Sequence, residues 1–137
     1  MRGTYVLVTK LEQDSKIKIG KLGLINFSRG CYCYVGSALG KSINLENRIS
    51  RHKKLNENKT GKFRWHIDYF LVNPDVSIID TLTINDNRKI ECEISKKLEK
   101  IADKFIVGFG CSDCNCTSHF YYFKNKQDYE KILEVRK

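Results

Sequence analysis

Residues 31–40 read CYCYVGSALG, and the fold turns on how this stretch is taken. A strand sends successive side chains to opposite faces, so Cys31, Cys33 and Val35 fall on one face and Tyr32 and Tyr34 on the other. The glycine-bounded GSALG at 36–40 then breaks the run. Two tyrosines aligned on one face just before a turn raise the question of what lies over that face.

Upstream, TYVLVT at 4–9 is a run of β-branched and aromatic residues and predicts a strand. SKIKIGKL at 15–22 and GLINFS at 23–28 group apolar residues around glycines, as a hairpin or meander does. An antiparallel sheet is therefore expected within the first 36 residues. Downstream the period changes. In SINLENRISRHKKL, residues 42–55, Leu45, Arg48, Ile49 and His52 recur at three- and four-residue steps and share one side of a helix. Ser42 is the expected N-cap. WHIDYFL at 65–71 fits a short helix or a strand, and VSIIDTLTI at 76–84 predicts a strand. In residues 89–105, Ile90, Ile94, Leu98, Ile101 and Phe105 form one stripe of an amphipathic helix. FIVGFG at 105–110 and HFYYF at 119–123 supply late strand material. The whole predicts an α+β domain spanning residues 1–137, a small, mostly antiparallel sheet with packed helices.

A chain of 137 residues suits one domain, and 41% apolar residues suffice for a core. Lys and Arg number 25 against 16 Asp and Glu, a net charge of +9, which favours a polyanionic partner, nucleic acid first. The opening MRGTYVLVTK lacks the apolar region of a signal peptide, and no apolar run is long enough to span a bilayer. The expected protein is soluble, intracellular and cytoplasmic, and its six cysteines are expected to be thiols or metal ligands rather than a disulfide framework.

Cutting a phosphodiester requires removing a proton from water, neutralising the crowded phosphate and stabilising the leaving oxygen. Tyr5 and Tyr34 can face one another across a sheet surface. Arg48 and His52 project together from the next helix. Glu91 and Glu93 open a later helix and could offer an oxygen ligand to Mg2+ or Mn2+. Each piece also has a plainer explanation: half-buried packing for the tyrosines, a solvated basic helix face for Arg48 and His52, a helix-dipole contact for the glutamates. Their order along the chain is more restrictive than any one of them.

GTY at 3–5, YVG at 34–36, Arg-x-x-x-His at 48–52 and a later acidic helix resemble the GIY-YIG nuclease superfamily. GTYVL, YCYVGSALG, RISRH, WHIDYFL, ECEIS and GFGCSDCNCTSHFYY together resemble its Uri-type branch of small endonuclease-like domains. The resemblance implies a DNA endonuclease, with nothing in the sequence to separate DNA from RNA. It implies Tyr5 and Tyr34 as the motif tyrosines, one acting on the attacking water with a lowered pKa. Arg48 would hold the phosphate, His52 relay a proton, and Glu93 bind a single divalent metal. Motif alignment favours Glu93, with Glu91 in reserve on the core-facing stripe. Gly36 of the YVG motif, His66, Ser118 and His119 are auxiliary candidates, and Asn115 or Ser118 stands where the family carries a late asparagine. The alternative from another class is a non-catalytic nucleic-acid-binding module on the same fold.

CSDCNCTSH at 111–119 brings Cys111, Cys114, Cys116 and His119 close in sequence, four soft ligands that could wrap Zn2+. The competing explanation is a turn whose thiols pack, with Asp113, Ser118 and His119 in hydrogen bonds. Cys31, Cys33 and Cys92 read as small buried apolar residues. In FRWHIDYF, His66 and Asp68 could assist phosphate or metal binding, whereas Trp65 and Tyr69 suit packing. The cation-rich residues 51–64 border the expected DNA path.

Overall fold

In the computed structural model, residues 2–39, 44–86, 88–111 and 116–125 are described. Strand β1 (Gly3–Leu11) runs between β4 (Gly30–Ala38) and β5 (Val76–Asn85), antiparallel to both. β7 (Phe120–Phe123) pairs with β4, and the two-residue β6 (Lys104–Phe105) pairs with β7. The sheet order is β5-β1-β4-β7-β6, and the α+β class read from the sequence holds. The first 36 residues do not make one sheet, however. β2 (Ser15–Lys18) and β3 (Leu24–Phe27) form a separate two-stranded hairpin around a 3-10 turn at Gly20–Leu22, while β1 draws its second neighbour from residues 76–85.

Both sheet faces are covered, which is why β1 is buried almost throughout instead of alternating. Tyr5, Leu7 and Leu11 join Tyr32, Tyr34 and Ala38 on one face, under α1 (Leu45–Asn58) and α2 (His66–Leu71). Val6, Val8, Cys33 and Val35 form the other, against Ile94 and Leu98 of α3 (Glu91–Ile101). The period-two reading of CYCYV therefore assigns every side chain to its observed face.

α1 buries Leu45, Ile49, His52 and Leu55, one stripe at helical spacing. Its N-cap is Asn44, whose side-chain oxygen accepts the Asn47 N–H at 2.8 Å; the expected cap Ser42 lies outside the described residues. WHIDYFL resolves as helix because the buried Asp68 carboxylate accepts the N–H groups of Arg64 and Trp65. α3 buries Glu91, Ile94, Ser95 and Leu98 and ends at Ala102, where the backbone becomes extended. Phe105 thus leaves the predicted stripe and packs in β6 beside Tyr121, with 6.3 Å between ring centroids. The rest of FIVGFG turns rather than extends, the Phe109 N–H returning to the Ile106 carbonyl. Among the described residues no helix is long and apolar enough to cross a membrane.

Candidate active site

The β1–β4 register sets Tyr5 opposite Gly36 and Leu7 opposite Tyr34. A Cβ at position 36 would lie 2.5 Å from the Tyr5 Cζ and hydroxyl, so the glycine is what lets the phenol lie across β4. The Tyr5 and Tyr34 rings stand 6.3 Å apart, and the expected facing pair is present. His52 reaches the same face from α1, fully buried, with Nε2 at 2.7 Å from the Tyr5 hydroxyl. Its Nδ1 has no partner among the described residues.

Electrostatics here differ from the expected activation of tyrosine. Burial, reinforced by Tyr34 and opposed by Arg48, raises the Tyr5 pKa well above its ordinary value. Burial also lowers His52 to about 4, with Asp68 opposing and Arg51 and Arg48 reinforcing. Near neutrality the pair is a neutral phenol hydrogen-bonded to a neutral imidazole. Arg48 does act on Tyr5 in the expected direction, but desolvation outweighs it.

Arg48 Nη1 donates to the Ser37 carbonyl at 2.7 Å, fastening it to the end of β4. Its Nε has no partner among the described residues. Arg48 and Arg51, one helical turn apart, each lie 4.6 Å from the Trp65 ring centroid. Arg51 also makes a two-pronged contact with Asp68, at 3.0 and 2.9 Å. Asp68 is thereby fully engaged with Arg51 and the α2 N-terminus, so the expected part in metal or phosphate binding gives way to positioning. Trp65 packs against the core as expected, and its ring is also a platform for the two cations. Beside it, Asn47, Arg51, Lys54, Asn58, Lys62 and Arg64 line a cleft of about 510 Å³. A larger cavity, about 1150 Å³, lies at the other end of β1 and β4 and holds none of these residues.

The two glutamates separate clearly. Glu93 is exposed on the outer side of α3, where Arg88 feels its charge. Glu91, two residues earlier, is buried on the sheet side, and its charge reaches Tyr5. Its carboxylate lies 3.6 Å from Lys89 Nζ and 3.8 Å from His119 Nδ1. The fold therefore buries Glu91, the reserve candidate, beside His119 and leaves Glu93 in solvent; the hundred degrees per residue of a helix put the two on different sides.

The auxiliary candidates divide. His66 Nδ1 accepts the Gly110 N–H at 2.8 Å and has its pKa lowered by burial, so it braces the loop before β7. The Ser118 hydroxyl is spent on its own turn, donating to the Phe120 carbonyl and accepting the Phe120 N–H. Cys111 Sγ turns to the Phe109 carbonyl, whereas Cys92 joins Cys116 and His119 in a group that could hold a metal, with Cys92 and Cys116 linked as a disulfide. Among the described residues, the group that could hold a metal takes Cys92 from α3 in place of the expected Cys111. Cys114, Asp113 and Asn115 lie outside the described residues. Sequence reading missed Cys92 because only the tertiary fold brings it to Cys116, 24 residues away. It undervalued Arg51, although the Arg48–Arg51 step of one helical turn was a usable signal.

Residues 4–136 match the family model described as Domain of unknown function DUF123. No curated protein and no solved structure matches the chain.

Proposed function

We propose that this chain, which belongs to the DUF123 family, is a metal-dependent endonuclease that hydrolyses phosphodiester bonds in DNA. The observation that carries the proposal is the buried Tyr5–His52 hydrogen bond of 2.7 Å beside the Tyr34 ring, with Arg48 fastened to Ser37 of β4 and Glu91 beside His119, which meets the Val35 carbonyl of β4. A core built only for packing has no use for a neutral imidazole with one nitrogen unpartnered among the described residues. The motif resemblance to GIY-YIG nucleases supports the same assignment.

The chemistry follows from the protonation states. A phenol this hard to ionise does not serve as a standing phenolate. Instead Tyr5 takes the proton of the attacking water as it passes its own to His52 Nε2, and so stays neutral. This requires the His52 tautomer protonated at Nδ1. As the water oxygen bonds to phosphorus, the bond to the leaving oxygen breaks on the opposite side; the leaving oxygen takes a proton from solvent, and the His52 imidazolium returns its proton to solvent. Tyr34 orients the water from the neighbouring strand. Arg48, held at Nη1 by Ser37, has Nε left to donate to a phosphoryl oxygen. Glu91 is the fitting ligand for Mg2+ or Mn2+: it is a hard oxygen donor, buried on the sheet side, that already draws the Lys89 ammonium to 3.6 Å. A divalent cation bound there supplies charge neutralisation at the leaving oxygen. Arg51, Lys54, Lys62 and Arg64 extend the positive surface away from the tyrosines along the path a DNA backbone would take.

The test is incubation of the chelator-treated chain with labelled duplex, single-stranded, flap and branched DNA, with Mg2+, Mn2+ or neither, binding being measured in parallel. Metal-dependent cleavage is expected, lost in Tyr34→Phe while binding persists. Binding on every substrate without cleavage in either metal would replace the nuclease with a nucleic-acid-binding module.

A further inference from the structure

Cys92 occupies the second position of α3, and Cys116 and His119 lie just ahead of β7. The fold carries these two distant segments to one place, where both sulfurs and an imidazole nitrogen lie within 4.8 Å of one another. Neither Cys92 nor Cys116 belongs to either apolar cluster of the core, unlike Cys33. Filling space therefore does not account for them.

The imidazole is set as a metal-binding histidine is set. His119 is 1% exposed, and its Nδ1 lies 3.2 Å from the Val35 carbonyl. A carbonyl only accepts, so Nδ1 carries the proton and Nε2 carries the lone pair. Nε2 looks toward the Cys92 sulfur, 4.0 Å away. Tetrahedral zinc with ordinary Zn–S and Zn–N bonds needs an N···S edge of roughly 3.6 Å, within a small adjustment of that spacing. The Glu91 carboxylate, 3.8 Å from Nδ1, is beyond hydrogen-bonding reach of the same ring.

We propose that the reduced chain holds one Zn2+ through the Cys92 and Cys116 thiolates and His119 Nε2, a site that adjoins Glu91 and shares no ligand with the Tyr5–His52 centre. A dithiol reductant supplies two electrons and two protons to the Cys92–Cys116 disulfide, giving two thiols already side by side. Zinc then replaces both thiol protons and takes the imidazole lone pair, releasing two protons in all. Two sulfurs and one nitrogen are a donor set suited to zinc and poorly suited to Mg2+. The bound ion would fasten the first turn of α3, which carries Glu91, to the segment entering β7. The proposal rests on its own ligand geometry and stands whether or not the chain cuts DNA.

The test uses the full chain, reduced with a dithiol, its free thiols counted chemically, and dialysed without chelator against zinc or cobalt. About one zinc per chain is expected, and cobalt should give the thiolate-to-metal absorption in the near ultraviolet together with tetrahedral visible bands. Cys92→Ser and Cys116→Ser should lose that absorption, and Cys111→Ser should keep it. Because either loss could follow from misfolding, each variant is checked by circular dichroism. The wild-type cobalt spectrum, which counts thiolate ligands directly, serves as the independent readout. A fully reduced chain that binds neither metal, or a folded Cys92→Ser variant with the wild-type spectrum, would overturn the proposal.

Discussion

At the scale of single residues, His52 sets how stability responds to pH. In the unfolded chain its imidazole takes a proton near 6.5, whereas in the fold it does so only near 4. Between those values the unfolded chain binds more protons, so stability should fall as pH drops from about 6.5 to about 4 and stay level, as far as this group is concerned, above that window. The full difference amounts to about 3 kcal/mol. Chemical denaturation across that range should show a shallower acid loss in His52→Gln than in wild type, His66 contributing in the same direction to both. Equal slopes would mean that His52 is not held neutral. Gly36→Ala should be costly for a different reason, because the new methyl meets the Tyr5 phenol. About 1–3 kcal/mol of stability should be lost, along with the Tyr5–His52 alignment, as read from melting and activity together. The facing tyrosines and the Arg-x-x-x-His step were legible in the sequence because both follow from local period. The protonation of Tyr5 and His52 was not, because it depends on how completely α1 covers them.

At the scale of elements, α2 depends on one carboxylate. Asp68 accepts two backbone N–H groups and the forked Arg51 guanidinium while fully buried. Asp68→Ala should cost about 2–4 kcal/mol in urea unfolding by leaving the helix start uncapped and Arg51 with only the Lys62 carbonyl and the Trp65 ring; a loss below about 1 kcal/mol would contradict this arrangement. β1 offers the opposite case. Thr4 is fully buried, and its hydroxyl has no partner among the described residues. The near-isosteric Thr4→Val should therefore raise stability by about 1 kcal/mol, measured the same way. The sequence showed the helical stripes of α1 and α3 well, since amphipathic period is local. It misread Phe105, whose spacing continues the α3 stripe although the chain straightens at Ala102. Glu91 and Glu93 were separable in principle: the core-facing stripe pointed to Glu91, and motif alignment pulled the other way.

At the scale of the whole molecule, a net charge of +9 and the cation-lined cleft beside Trp65 make the proposed binding electrostatic first. DNA affinity should fall steeply with salt, and replacing Lys54, Lys62 and Arg64 together with alanine should flatten that slope by about two to three. The central claim is that Tyr34 and Glu91, and not Glu93, act at a phosphodiester-cleaving centre. Its most direct measurement is plasmid nicking in Mn2+ by wild type, Tyr34→Phe, Glu91→Ala and Glu93→Ala, each confirmed folded. The wild type should nick, Glu93→Ala should match it within about two-fold, and the other two should lose about 100-fold or more. A wild type that does not nick, or a Glu91→Ala variant as active as wild type, would contradict it.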